Sequence, residues 1–134
     1  MSKENVEIVR SIYGAWERGD FRSVEWADPE IEFAIADGPA PSSSTGLAGM
    51  SEGWRNFLST WQEWRTEADE YLDVDGERVL VLARFGGRGK VSGLELGKDW
   101  AKGASLFHLR EGRVTRLVLY FDAGQALEAV GLSG

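Results

Sequence analysis

Cysteine is absent from this chain, which removes thiol nucleophiles and any disulfide framework and leaves nothing that requires an oxidising compartment. Histidine occurs once, at position 108, and no His-x-x-x-His or Glu-x-x-His spacing exists. A zinc or iron site therefore has no recognisable ligand set, and no metal is expected. Long basic runs are missing too: 15 Lys and Arg stand against 22 Asp and Glu, a formal charge of −7. A phosphate backbone needs a basic footprint, so nucleic acid is not an expected partner. No apolar run reaches the length of a membrane span, and the opening Met-Ser-Lys-Glu-Asn-Val-Glu carries charge where a signal peptide needs an apolar stretch. The expectation is a cytoplasmic protein without membrane contact. No Gly-x-Ser-x-Gly elbow occurs, which leaves an acyl-enzyme triad unsupported. Gly86-Gly87-Arg88-Gly89-Lys90-Val91 is only superficially a phosphate loop, because Val91 stands where Ser or Thr would ligate magnesium and no helical pattern follows. No cofactor is expected.

What is present suits one globular domain over residues 1–134: 43% of the chain is hydrophobic and 28% charged, which fits neither a two-domain enzyme nor a disordered chain. Val6, Val9, Ile12, Tyr13 and Trp16 recur at three- and four-residue steps, so the first segment is a helix with one buried stripe, ended by Gly19. Asp20 is placed to cap a short second helix in which Phe21 and Val24 face inward, and Asp28-Pro29 breaks the chain before an extended run. Ile31, Phe33 and Ile35 alternate with Glu32, Ala34 and Ala36, the period of a half-buried strand, and Asp37 continues the apolar phase. Gly38 to Thr45 reads as a mobile surface loop. A further helix is expected over about 47–64, with Met50, Trp54, Phe57, Leu58 and Trp61 on one side.

Strands are expected over about 67–74, 78–85, 95–110 and 114–121, joined by an Asp75-Gly76 turn, a glycine-rich crossing and a Glu111-Gly112 turn. Asp122 then opens a terminal helix with a capping-box-like Asp-Ala-Gly-Gln. Helices ahead of the main run of strands argue for an α+β fold with helices packed on one face of a bent sheet. The last strands are apolar on both faces, since Leu117, Leu119 and Phe121 alternate with Val118 and Tyr120. Little sequence remains to build an element that would cover the second face.

With metals and thiols set aside, the chemistry left is proton transfer by carboxylates in an apolar cavity, where desolvation raises a carboxyl pKa into a useful range. Asp37, in phase with Phe33 and Ile35, is the first candidate; as half of an Asp-Gly pair it also reads as a turn residue. Asp99, in phase with Ser105, Phe107 and Leu109, is the second, and also reads as a solvated charge beside Lys98. Ser105 could donate a hydrogen bond and Arg84 could orient an oxygen if it faces inward, or both are structural. His108 falls on the opposite phase and reads as an outer-face or interface residue. Tyr13 offers a phenolic donor for a carbonyl or enolate oxygen, or is core. Trp16, Trp54, Phe57 and Trp61 are core residues that would also form a ligand wall.

Three stretches carry a family resemblance. Glu111 to Leu132 gives a turn, an apolar strand and a capped terminal helix; Glu4 to Asp20 gives an amphipathic helix ending in Gly-Asp; Gly46 to Glu52, running on to Trp54, Phe57 and Trp61, fits a pocket-covering helix. Over nearly its whole length the chain resembles the SnoaL-like branch of the NTF2-like (ketosteroid-isomerase-like) superfamily. That resemblance implies an α+β NTF2-like cone, with three helices of the N-terminal half packed on a strongly curved, mostly antiparallel sheet and a short C-terminal helix. It implies an apolar pocket, for which the candidate lining is Trp16, Phe33, Trp54, Phe57, Trp61, Arg84, Ser105, Phe107, Leu119 and Phe121; the catalytic candidates are Asp37 and Asp99, chosen by strand phase and not transferred from the family, and Tyr13 on the first helix, where such a fold lines its pocket. It also implies a homodimer through the other face of the sheet.

The catalytic sets of two relatives are not carried over. The tyrosine and two aspartates of ketosteroid isomerases fall on Ile12, Ile35 and Ser105, and the acids of limonene-epoxide hydrolases fall on Gly86 and Leu119. The implied function is a cofactor-independent enzyme performing isomerase- or cyclase-type acid–base chemistry on a small hydrophobic carbonyl compound. A non-catalytic ligand-binding or structural dimer is the alternative, and a protein-interaction module is a third reading.

Overall fold

The computed structural model describes residues 2–20, 25–37, 42–59, 61–89 and 101–131. Helices α1 (Ser2–Glu17), α2 (Gly46–Ser59) and α3 (Ala123–Ala129) accompany strands β1 (Ala27–Ile35), β2 (Ser42–Thr45), β3 (Trp61–Asp73), β4 (Arg78–Gly89), β5 (Ala101–Arg110) and β6 (Arg113–Tyr120). The strands form one six-stranded sheet in the order β2-β1-β6-β5-β4-β3, with β2 and β3 as open edges. Neighbours pair antiparallel except β1 and β6, which run parallel, so the sheet is mixed.

The helical stripe read from the sequence is the buried face of α1: Val9, Ile12, Tyr13 and Trp16 are each at most 4% exposed. Both ends of the helix are tied down. Asn5 donates to the Gly76 carbonyl in the β3–β4 turn (2.8 Å), and the Ala68 amide of β3 donates to Glu17 (2.8 Å). Gly19, at φ 84°, reverses the chain while its amide and that of Asp20 donate to the carbonyls of Trp16 and Ala15, satisfying groups the last turn leaves open. These ties fix the rotation of α1 over the sheet and so determine where Tyr13 points.

Several boundaries differ from the sequence reading. The helix expected to reach position 64 stops at Ser59, and Trp61 starts β3, whose backbone pairs with the Gly86–Gly89 end of β4. The glycines read as a crossing thus lengthen a hairpin, and strand pairing satisfies backbone groups that the aromatic pattern alone cannot assign. Ser42–Thr45 is no loop; it pairs with Glu32–Ile35 as an edge strand. Among the described residues two helices lie in the N-terminal half rather than three, since the expected short helix at Phe21 and Val24 lies outside them, as does the 95–100 part of the fifth strand.

A single extra residue keeps β6 in phase with the core. Leu109 faces Val114 and His108 faces Arg116, so Thr115 is a bulge that moves the inward row from Val114 to Leu117 and Leu119. Asp69 does the same in β3, between Ala68 and Glu70. The inward rows of β1, β4, β5 and β6 join α1 and α2 in one core, in which Phe33, Phe107, Ile31 and Leu117 are at most 1% exposed. Each such side chain stabilises the fold by about 1.5–3 kcal/mol.

The other sheet face carries a second core of Leu80, Ala104, Leu106 and Val118, closed by Ala126 of α3, with Leu127 and Val130 packed at its edge. The apolar second face was legible, but its cover was not: seven residues of α3 suffice to shield its centre. No described helix is long and apolar enough to cross a membrane.

Candidate functional site

Where α1 crosses β5, the Tyr13 hydroxyl lies 2.8 Å from the Ser105 hydroxyl, and both side chains are about 3% exposed. Tyr13 faces the sheet because it belongs to the buried stripe of α1; Ser105 faces α1 because it shares the inward phase of Phe107 and Leu109. Burial pushes the Tyr13 phenol up to about 12, outweighing the opposing hydrogen bonds from Ser105 and Thr66, with smaller upward contributions from Tyr71 and Glu17. The phenol is therefore neutral, and a proton donor, throughout the physiological range.

The two hydroxyls open onto a cavity of about 40 Å³, room for two or three water-sized groups. Tyr13, Trp16, Trp54, Phe57, Ser105, Leu119 and Phe121, all expected at the site, line it together. Trp16 lies between Trp54 (centroids 5.0 Å) and Phe107 (5.8 Å, stacked), while Phe33 supports Trp54 from behind at 5.3 Å. Phe33 and Phe107 thus hold the wall and are not part of the lining. On the solvent side the Phe121 ring meets Phe57 (5.9 Å) and Phe85 (5.1 Å) edge-on.

Two further expectations change. Asp37 does not line the cavity; its carboxylate accepts the Phe121 amide on Oδ1 (2.5 Å) and the Asp122 amide on Oδ2 (3.1 Å). The strand phase was read correctly, but β1 ends at Ile35, so its alternation no longer governs the next side chains. Arg84 faces outward in the row of Leu80 and Leu82, donating to Asp69 (2.9 Å) and Glu67 (3.0 Å). Asp99 lies outside the described residues, and of Trp61 only the backbone in β3 is described.

Thr66, Ala83 and Phe85 line the cavity without having been singled out, and Ala104 and Tyr120, whose side chains pack in the core of the opposite sheet face, also border it. Ala83 and Phe85 continue the inward alternation of Val79 and Val81 and could have been found from it. Thr66 was missed because it fell between a helix expected to end near 64 and a strand expected to start near 67, whereas β3 already begins at Trp61. His108 sits on the outer face as expected, half-buried in a cross-strand row with Arg78 and Arg116. Burial lowers its pKa first, helped by Arg116 and Arg78 and opposed by Asp75 and Glu32. Among the described residues no group of His, Cys, Asp and Glu could hold a metal ion.

Residues 9–117 match the SnoaL-like domain family. The chain belongs to that family. No curated protein matches the sequence of this SnoaL-like protein. Solved structures show the same fold at low identity. One is TerC, co-crystallised with polyporic acid, with 19% identity and TM-score 0.73 over 96% of this chain and 98% of that one. A second is an NTF2-like protein of unknown function from Burkholderia pseudomallei, with 21% identity and TM-score 0.74 over 95% and 97% of the two chains. A third, provisionally named a polyketide cyclase, comes from Xanthomonas campestris, with 19% identity and TM-score 0.69 over 96% and 98%.

Proposed function

We propose that this SnoaL-like protein is a cofactor-independent enzyme of isomerase or cyclase type, binding a small hydrophobic carbonyl compound with its oxygen at the Tyr13–Ser105 pair. One observation carries the reading: a buried, neutral phenol hydrogen-bonded to a serine hydroxyl at the closed end of an aromatic cavity. A fixed donor in water-poor surroundings favours an oxygen that gains negative charge, as a carbonyl does when a solvent-borne base reaching the open side of the cavity takes its α-proton, because no solvent must reorganise around that oxygen. The aromatic wall supplies apolar contact for the rest of the compound. The polyketide-cyclase name of a structural neighbour fits carbonyl chemistry of this kind, and TerC with polyporic acid fits an organic ligand in this fold.

A second reading has its own support. Among the described residues, no Asp, Glu, His, Lys or Arg lines the cavity, and Asp37 is engaged elsewhere, which suits a passive binding pocket. Solvent-deuterium incorporation at the α-carbons of a ketone panel, followed by NMR, separates the two. The enzyme reading expects exchange above the buffer rate and a loss of about 10²–10³-fold in Tyr13→Phe. A ketone that binds without faster exchange would decide for the passive pocket. Assembly as a homodimer belongs to the same proposal, through the outer sheet face at Leu72, Leu82 and Tyr120, which α3 leaves half-buried.

A further inference from the structure

The turn from β6 into α3 is held by two carboxylates in series. Asp37 accepts the amides of Phe121 and Asp122, and Asp122 in turn caps α3 by accepting the Gly124 amide at 2.8 Å. Main-chain pairing between the β1 and β6 segments ends one residue earlier, where the Ala36 amide donates to the Leu119 carbonyl at 2.9 Å. From there onward the side chain of Asp37 takes over the tethering that the backbone ladder has relinquished. Its neighbour across this tether, Phe121, is only partly buried, lines the cavity and touches both Phe57 of α2 and Phe85 of β4.

From this geometry we infer that Asp37 is a positioning residue: it holds the Phe121 ring as the solvent-side wall of the cavity and so sets the size of compound that reaches the Tyr13–Ser105 pair. The inference rests on the reading of this cavity as a ligand site. Hydrogen bonds from backbone amides to a carboxylate are roughly twice as strong as neutral ones, and two on one carboxylate fix the direction of the turn as well as its position. Phe121 has only its side-chain rotamers to move once its amide is fixed, and the rings of Phe57 and Phe85 limit those. Removing Asp37 leaves every lining side chain in place, yet frees the backbone that aims one of them.

The test compares the affinities of acetone, whose few heavy atoms suit a cavity of about 40 Å³, and cyclohexanone, which exceeds it, read by fluorescence of the tryptophans, of which Trp16 and Trp54 stand in the wall. Asp37→Ala is expected to shift the ratio toward cyclohexanone by about fivefold or more, with Asp37→Asn, which keeps one acceptor oxygen, shifting it less. Phe121→Leu, which shortens the wall itself, is expected to move the ratio the same way. A ratio within about twofold of the parent in Asp37→Ala, with Phe121→Leu shifted, would show that Asp37 does not position the wall. An unchanged ratio in Phe121→Leu would overturn the role of the ring. If no variant binds either ketone while all remain folded, the ligand-site reading itself falls. Should Asp37→Ala fail to fold, Asp37→Asn carries the test, with faster amide hydrogen exchange at Phe121 and Asp122 expected and unchanged exchange contradicting it.

Discussion

A phenol enclosed by aromatic rings, with a serine hydroxyl 2.8 Å away, keeps its proton well past the pH at which an exposed tyrosine ionises. The Tyr13 pKa rises from 10.0 to about 12 on burial, so the unfolded chain releases this proton first as the pH climbs. The stability that the neutral phenol contributes is fully present below pH 10.0 and is lost as the pH approaches about 12. Near the top of that window the loss reaches about 3 kcal/mol. Urea unfolding of the parent and Tyr13→Phe from about pH 9 upward should therefore show the parent falling more steeply. Parallel curves would mean that Tyr13 is not buried as described; Tyr71, also raised chiefly by burial, is common to both proteins and cancels. Both Tyr13 and Ser105 could be placed on buried faces from periodicity alone. Their contact could not, because 92 residues separate them and the rotation of α1 depends on ties from Asn5 and Glu17. Asp37 shows the converse: its direction was inferred from a strand that had already ended.

At the scale of elements, Gly103 of β5 lies tightly against Phe85 of β4 and Tyr120 of β6. A β-carbon there would lie 2.5 Å from the Phe85 ring and 2.6 Å from the Tyr120 carbonyl oxygen, and the backbone carbonyl cannot swing away. Gly103→Ala is expected to destabilise the protein by about 1–3 kcal/mol and to displace Phe85 from the cavity wall. A melting temperature equal to the parent's would contradict this packing. The β5–β6 hairpin was legible because Glu111-Gly112 is a two-residue turn; the structure gives both residues positive φ, 52° and 79°, the geometry such a turn needs. The α2–β3 boundary was not legible. Trp61 and Trp64 continue the aromatic pattern of the preceding helix and suit a strand equally, so pairing with β4 decides the outcome.

For the whole molecule, one mixed sheet carries a core on each face, the larger under α1 and α2 and the smaller under α3. The alternation of Leu117 and Leu119 with Val118 announced two apolar faces, and the sequence offered no reason to rank α3 above a second subunit as the cover. The larger core holds the site: several of its aromatic side chains surround a cavity of about 40 Å³ at the hydroxyl pair. In the proposed function, stability and ligand recognition draw on the same aromatic wall, and the polar chemistry is confined to the Tyr13–Ser105 end. The proposed function requires that end to bind a carbonyl oxygen. The most direct measurement is the infrared carbonyl stretch of a ¹³C-labelled ketone bound to the parent and to Tyr13→Phe. A stretch shifted to lower frequency in the parent and restored toward its apolar-solvent value in the variant is expected; the same frequency in both would contradict carbonyl binding at the Tyr13–Ser105 pair.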